Sequence, residues 1–399
     1  MHVFIITQYF PPEIGASASR WGDYSEILIK QNHKVTILCE SPHYPNSSYF
    51  SGYKNLWCNI EKKSKNLTII RSKAFASDRK TFYKKLMHYF VFMISSIINS
   101  RKVKKYDLLI ISSPPLFTGV IGLFIKKFYK SDFWLDIRDL WPESALELGQ
   151  IKKGILYKLG KKLESKIYQS AKGFIFPVPG FKPYLKNFSN KISKKPMIEL
   201  MNGVSEDFIK KSQKINISND QKFTVLYSGN MGLAQDLNSI IKAAEYLKDY
   251  NIDFRLIGEG VCRSEIEMLA KPFKEKIHFH QSLVRGDLIK WIKKSSVCLV
   301  LLKNKKLFDS ALPSKMFEYM ACARPIIVGV KGEAKKIVNS SGSGIAIDPE
   351  DPIMLSKAIL TYYNNKEKCK SDGQNGMTYI IKKLSKEMLI SNMINHFKK

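Results

Sequence analysis

The chain has few of the features that mark several protein classes. Its six cysteines, at 39, 58, 262, 298, 322 and 369, form no CxxC pair and no short spacing. That excludes a zinc ribbon or disulfide scaffold and fits a reducing compartment. No HExxH or other metal-ligating constellation occurs, so neither a structural nor a catalytic metal is expected. The opening residues Met1 to Thr7 show no basic n-region and no small-residue cleavage site, and read as a buried strand rather than a signal peptide. No apolar run reaches the ~20 residues that cross a bilayer. The dinucleotide fingerprint GxGxxG is missing, which counts against NAD. A cytoplasmic chain without a membrane span is expected.

Acidic residues are also scarce: 35 Asp plus Glu face 65 Lys plus Arg, a net charge of +30 over 399 residues. With 44% hydrophobic residues the chain can still bury ordinary cores. The excess points to partners of negative charge, whether nucleic acid, anionic lipid or a phosphorylated small molecule.

What is present is a repeated alternation of short apolar runs and helix-length patterns. Val3–Thr7, Val35–Cys39, Leu67–Arg71, Leu108–Ser112, Phe133–Asp136 and Gly173–Pro177 read as strands, with helices such as Ala18–Lys30 and Leu116–Tyr129 between them. After a polar interruption at 203–222 the pattern restarts with Phe223–Tyr227, Phe254–Ile257, Ile277–His280, Val297–Leu302 and Pro325–Val328. Repeated βα units predict parallel sheets covered on both faces. The fold class is therefore α/β, with two Rossmann-like domains facing across a cleft: 1–200, 201–375, and a helix over 376–399 packing back toward the first. Chemistry belongs on the βα loops at the carboxyl ends of the strands.

Four loops stand out. In the loop from Gln8 to Ser17, Gly15 and Ala16 allow close backbone approach and Ser17 can cap the next helix, whose N-terminus would attract a phosphate; the plainer reading is an ordinary long loop. Gly229, Asn230 and Gly232 follow a strand and suit a nest of backbone N–H groups around an anion, although glycine also serves any sharp turn. Gly258 and Glu259 repeat the device. Leu312, Pro313 and Ser314 begin a helix, with Lys315 adding a positive charge and Glu318 one turn on, able to accept from a ribose diol; alternatively Glu318 simply stabilises the helix dipole. Finally, Asp136, Arg138 and Asp139 close a first-domain strand, either as acid–base groups or as an ion pair fixing the loop. The loop histidine His43 reads as structural.

On QYFPPEIGASASR, DIRDLWPES, YSGNMGLAQ and LPSKMFEYMACARPIIVG, in that order, the sequence resembles family-four glycosyltransferases of the GT-B fold, and within them the WbuB-like branch of L-fucosamine transferases. The resemblance implies transfer, with retention, of a sugar such as N-acetyl-L-fucosamine from a UDP-sugar to an undecaprenyl-pyrophosphate-linked saccharide in O-antigen or capsule synthesis. No metal or other cofactor is implied. Glu318 matches the second Glu of the family's E-x7-E motif; the first falls at Ser310, beside Asp309. An Arg and Lys that clamp the diphosphate in relatives are Asn230 and Gln235 here, so Lys315 and the amides of Leu312–Ser314 are expected to neutralise it. Gly15, Ala16, Arg138, Gly229, Gly232, Gln235, Gly258 and Glu259 would line the substrate sites, and Asp139 would be the acceptor-activating base.

Leu86–Ile98 is apolar nearly all round and bracketed by Lys84, Lys85, Arg101 and Lys102, which suits a helix dipping into an anionic membrane surface; a second such segment is Leu116–Ile125. Otherwise these are two buried helices. The expected location is peripheral, at the inner face of the cell membrane. Two competing functions are a UDP-sugar 2-epimerase of the same architecture and a non-enzymatic polyanion binder. Nucleic acid is not expected, because no helix-turn-helix, RNA-binding aromatic signature or zinc module occurs.

Overall fold

Runs rich in Val, Ile and Leu, buried on both faces, form the strands, and the amphipathic stretches between them supply the crossovers. A computed structural model describes residues 1–13, 15–43, 48–75, 82–147, 149, 151–215, 222–283 and 285–398. Ile14 of the first loop, residues 44–45 after His43 and 216–221 of the polar interruption lie outside the described residues, as does the side chain of Ala16.

The chain divides into two units, Met1–Met201 with Ile390–Lys399, and Asn202–Leu389. In the first, the strands β1 (His2–Ile6), β2 (Lys34–Glu40), β3 (Cys58–Ser64), β4 (Leu67–Ser72), β5 (Leu108–Ser113), β6 (Trp134–Ile137), β7 (Gly173–Phe176) and β8 (Met197–Glu199) form one sheet. Their order is β3-β4-β2-β1-β5-β6-β7-β8. All neighbours are parallel except β3 on β4. Every residue of β5 is buried.

The second unit holds β9 (Phe223–Ser228), β10 (Ile252–Ile257), β11 (Ile277–His280), β12 (Val297–Leu301), β13 (Ile326–Gly329) and β14 (Gly344–Ala346), in the order β11-β10-β9-β12-β13-β14. It is parallel throughout. Val225, Leu256, Leu299 and Ile327 from its strands pack with Ile240, Leu355 and Ile359 from its helices. Strand order reverses between β1 and β5 and again between β9 and β12, and ligands of open α/β sheets bind outside the carboxyl ends at such reversals.

Three strands have no counterpart in the sequence reading. β3 is polar, with exposed Lys62 and Lys63, the charge pattern that protects an edge. It is fixed instead by the buried Arg71 of β4, whose Nε donates to Glu61 Oε1 at 3.0 Å. β8 and β14 are only three residues long.

The tail also departs from expectation. Residues 376–399 are not one helix but the end of Lys366–Lys383 and a separate helix, Lys386–Lys398. Between them Leu384 and Lys386 pair with Val204: the Val204 N–H donates to Leu384 O (2.9 Å) and the Lys386 N–H to Val204 O (3.0 Å). Gly203 permits this approach, since a Cβ there would overlap the Leu384 carbonyl. Only Ile390–Lys399 groups with the first unit, where Phe397 stacks edge-on to Trp134 at 4.7 Å.

Candidate active site

In the second unit, β9 ends at Ser228 and the backbone turns at Gly229 with φ +128°. The Gly229 N–H donates to Ile257 O (2.9 Å) and the Gly258 N–H to His280 O (3.1 Å), so both glycine loops prolong the parallel ladder. A Cβ on Gly258 would overlap the Gly229 carbonyl, which explains why glycine stands where the loops abut. The Met231 N–H donates to Glu259 O at 2.8 Å, and the Glu259 carboxylate, exposed, pairs with Arg263. Gly232 lies under the Asn230 side chain. This corrects the anion-nest expectation in one respect. The amides of Gly229 and Met231 are committed to joining the loops.

The positive group at this site comes from the helix Ser314–Ala321. Pro313 is its N-cap, without a side-chain capping bond, and exposed Ser314 is the first helical residue rather than the cap. Tyr319, fully buried, bolts the helix to the end of β9: its hydroxyl accepts from the Ser228 N–H (2.8 Å) and lies 2.9 Å from Ser228 Oγ. Burial holds its phenol proton well above the ordinary range.

That docking aims Lys315 at the glycine loop. Its Nζ stands 4.0 Å from the Tyr227 ring centre and 3.4 Å from Gln235 Oε1, and a Cβ on Gly229 would lie 3.0 Å from it. Tyr227 in turn donates to Asn230 O at 2.7 Å. Asn230 and Gln235, the two positions without the expected cations, thus help form the cradle of Lys315. Desolvation pushes the Lys315 ammonium down to about 7, against the opposing pull of Glu318. Glu318 is half-buried one turn on, and Leu312 and Pro313 are half-buried before the helix. Ser310 ends a short 3-10 turn, Lys306–Ser310, whose Asp309 is exposed and rests its carbonyl on Gly332.

The first unit brings together the loops after β1, β5 and β6. Gly15, at φ +136°, is the N-cap of the helix Ala16–Lys30, and its carbonyl accepts from Ala18 and Ser19. Ser17 therefore lies inside the first turn and is not the cap. Asp136 is an anchor, which settles its two readings in favour of structure. Buried completely, it accepts from Arg20 Nη2 (2.8 Å), Trp21 Nε1 (2.9 Å) and Ser112 Oγ (2.8 Å). Arg20 also donates to Leu200 O at 2.9 Å.

Arg138 donates from Nη2 to Pro114 O (2.8 Å), while its Nε is buried without a hydrogen-bond partner. Burial lowers its affinity for the proton, with Asp136 opposing and Arg20 reinforcing that shift. Asp139 accepts from Ser144 Oγ at 2.9 Å. Burial raises its carboxyl above the usual range, against the Ser144 hydrogen bond and the Arg138 charge. Sequence reasoning missed Tyr227 and Tyr319, whose positions in an apolar strand and helix face look like plain core.

Two doubly wound units with Rossmann strand order, each with its chemistry-bearing loops at the order reversal, define a mixed α/β protein of the GT-B fold. Solved structures share it. Sucrose-phosphate synthase from Thermosynechococcus elongatus superposes with TM-score 0.75 at 15% identity, covering 100% of this chain and 98% of that one. Anabaena Alr3699/HepE, solved in complex with UDP, gives 0.66 at 11% identity with 100% of both chains covered. Residues 208–378 match the family model of glycosyl transferases group 1. WcaI of Escherichia coli (strain K12), named as a colanic acid biosynthesis glycosyl transferase, is 22% identical over 382 residues, 90% of this chain and 91% of its own. The chain is a glycosyltransferase enzyme, and the group 1 match lies within its second unit.

Proposed function

We propose that the chain transfers a sugar, with retention, from a UDP-sugar to an undecaprenyl-pyrophosphate-linked saccharide in bacterial surface polysaccharide synthesis. The observation that carries the reading is Lys315, a desolvated ammonium held at a helix N-terminus against the Gly229 loop, with Glu318 one turn away. Negative charge grows on the diphosphate as it departs, and a pre-aimed cation with free helix amides stabilises that change. Lys315 and the Leu312–Ser314 backbone serve the diphosphate, Glu318 the ribose, and Gly229, Asn230, Gly232, Gln235, Gly258 and Glu259 the rest of the donor pocket. The transfer needs no metal at this site, because Lys315 supplies the positive charge. On the first unit Gly15, Ala16 and Arg138 bind the acceptor and Asp139 is the base.

HepE was solved with UDP and WcaI is named for colanic acid synthesis, which supports the base of the donor and the polymer class. The resemblance to L-fucosamine transferases makes N-acetyl-L-fucosamine the first donor sugar to try, with O-antigen or capsule as the product.

Peripheral attachment to the inner face of the cell membrane fits the helix Phe82–Ser100. Tyr83, Phe90, Ile94 and Ile98 are exposed along one face of it, flanked by Lys84, Lys85 and Arg101. Among the described residues no helix is long and apolar enough to cross a membrane.

Incubation with a panel of UDP-, GDP- and dTDP-sugars, with and without a lipid pyrophosphate saccharide, tests the reading. Acceptor-dependent release of UDP and a product of unchanged anomeric configuration are expected. Conversion of the donor alone to an epimer or a glycal would establish the 2-epimerase instead.

A further inference from the structure

Glu40, His43 and His88 meet inside the first unit, all three without solvent exposure. Glu40 closes β2, His43 follows in the loop, and His88 comes from the helix Phe82–Ser100. Each presents one ligand atom, and the three atoms lie within 4.8 Å of one another. The loop after β1 adds two more buried groups. Glu13 Oε1 accepts from the His43 N–H at 3.1 Å, and the Gln8 carboxamide nitrogen stands 2.9 Å from Glu40 Oε2 and 2.5 Å from His88 Nε2.

The surroundings of His88 fix how its ring is presented to the cluster. His88 Nδ1 lies 2.8 Å from the Phe75 carbonyl oxygen. A carbonyl only accepts, so Nδ1 carries a proton. The other ring nitrogen, Nε2, then faces Glu40 Oε2 at 3.0 Å, again an acceptor. As placed, the Gln8 amide can donate to both of these atoms, and a bound cation would take over that bridging position. Gln8 supplies an independent observation: it is fully buried, and its Oε1 has no hydrogen-bond partner. A half-turn of the carboxamide would exchange its ends and present that oxygen to the cluster as a further ligand.

We propose that Glu40, His43, His88 and the carboxamide oxygen of Gln8 form a binding site for a divalent transition metal of the zinc class. Imidazole and carboxylate donors suit that class. The bond from His88 Nδ1 to a backbone carbonyl is the outer-shell contact that fixes the tautomer and aims Nε2 at a metal. Tetrahedral bonds of ~2.0–2.1 Å separate ligand atoms by about 3.4 Å. His88 Nε2 lies 3.0 Å from Glu40 Oε2 and His43 Nδ1 lies 3.6 Å from Glu40 Oε1, so one ring nitrogen faces each oxygen of the carboxylate near that spacing. Ligation through His43 Nδ1 would exchange its 3.0 Å bond to Ser41 O for the metal. Enclosed as it is, the metal is structural: it staples the loops after β1 and β2 to the helix Phe82–Ser100. The site would add a structural metal that the sequence reading does not expect, without entering the donor chemistry, and it does not depend on the transferase reading.

The test uses the full chain without a polyhistidine tag. Elemental analysis after purification free of chelator should find about one zinc-class ion per chain. Stripping the protein and titrating Co²⁺ should produce the visible ligand-field bands of a tetrahedral nitrogen–oxygen site, saturating at the same ratio. His88→Gln and Glu40→Gln should each abolish those bands, and chelation should lower Tm of the wild type but not of the variants. Wild-type protein that is folded, metal-free and spectroscopically silent to Co²⁺ overturns the site in favour of a metal-free cluster bridged by the Gln8 amide. Equal metal content in wild type and His88→Gln overturns it as well.

Discussion

An ammonium set against an aromatic face and a carboxamide loses hydration that neither neighbour fully replaces, which is why Lys315 is pushed down to about 7. A bound diphosphate restores the proton, so binding and protonation are linked. Below about pH 7 the free chain already carries the charge and affinity is flat. Above it binding must take up a proton, and affinity falls about tenfold per pH unit until the ammonium's value in the complex is passed. Calorimetry of UDP binding in buffers of different ionisation enthalpy should detect proton uptake at about pH 8.5 and little at about pH 6. Equal uptake at both would remove Lys315 from the diphosphate. Lys315→Gln should erase the pH dependence and lower turnover by ~10²–10³. Asp136 behaves differently, because its carboxylate is enclosed by Arg20, Trp21 and Ser112. Asp136→Asn strands a buried guanidinium and should cost about 3–5 kcal/mol in denaturant unfolding.

At the scale of elements, the helix Phe82–Ser100 carries two faces. Phe92, Met93, Ser95, Ser96 and Asn99 turn inward, while Phe90, Ile94 and Ile98 recur every four residues on the outside. Exposed apolar side chains spaced this way beside lysines fit an interface and serve no core. Replacing Phe90, Ile94 and Ile98 together by Ser should reduce flotation with anionic vesicles at least ~10-fold while leaving circular dichroism unchanged, since the three sites are outside the core. Unaltered flotation would assign the stripe another role. The same helix was legible in the sequence as an apolar run, but not which of its faces is covered. Apolar content alone does not distinguish a buried side from a lipid-facing one. β3 was illegible for a related reason: its polar residues pair through Arg71 and Glu61, ten positions apart and on different strands.

For the whole molecule, the second unit has its own core and its own sheet. If the donor is held there, residues 202–389 expressed alone should fold and bind UDP within about tenfold of the full chain; a folded fragment with no affinity would move the donor site. The net charge of +30 adds a long-range field. Vesicle binding should therefore weaken steeply between low and physiological salt as the Debye length shrinks from about 30 to 8 Å.

Sequence by itself determined the α/β class, most strands, and the loops that bear Lys315, Glu318 and Asp139. Hydrophobic period and turn residues are local, and parallel strands buried on both faces leave an unbroken apolar signature. Only the tertiary structure decided which loop residues do what. It made Asp136 an anchor, put the Gly229 amide into the ladder, and gave Lys315 a cradle at the two positions that lack the expected cations. It also broke the tail at Leu384 and gathered Gln8, Glu40, His43 and His88, spread over eighty residues of chain, into one buried cluster. Those outcomes depend on which groups share a desolvated space, a property of folded contacts that no spacing along the chain encodes.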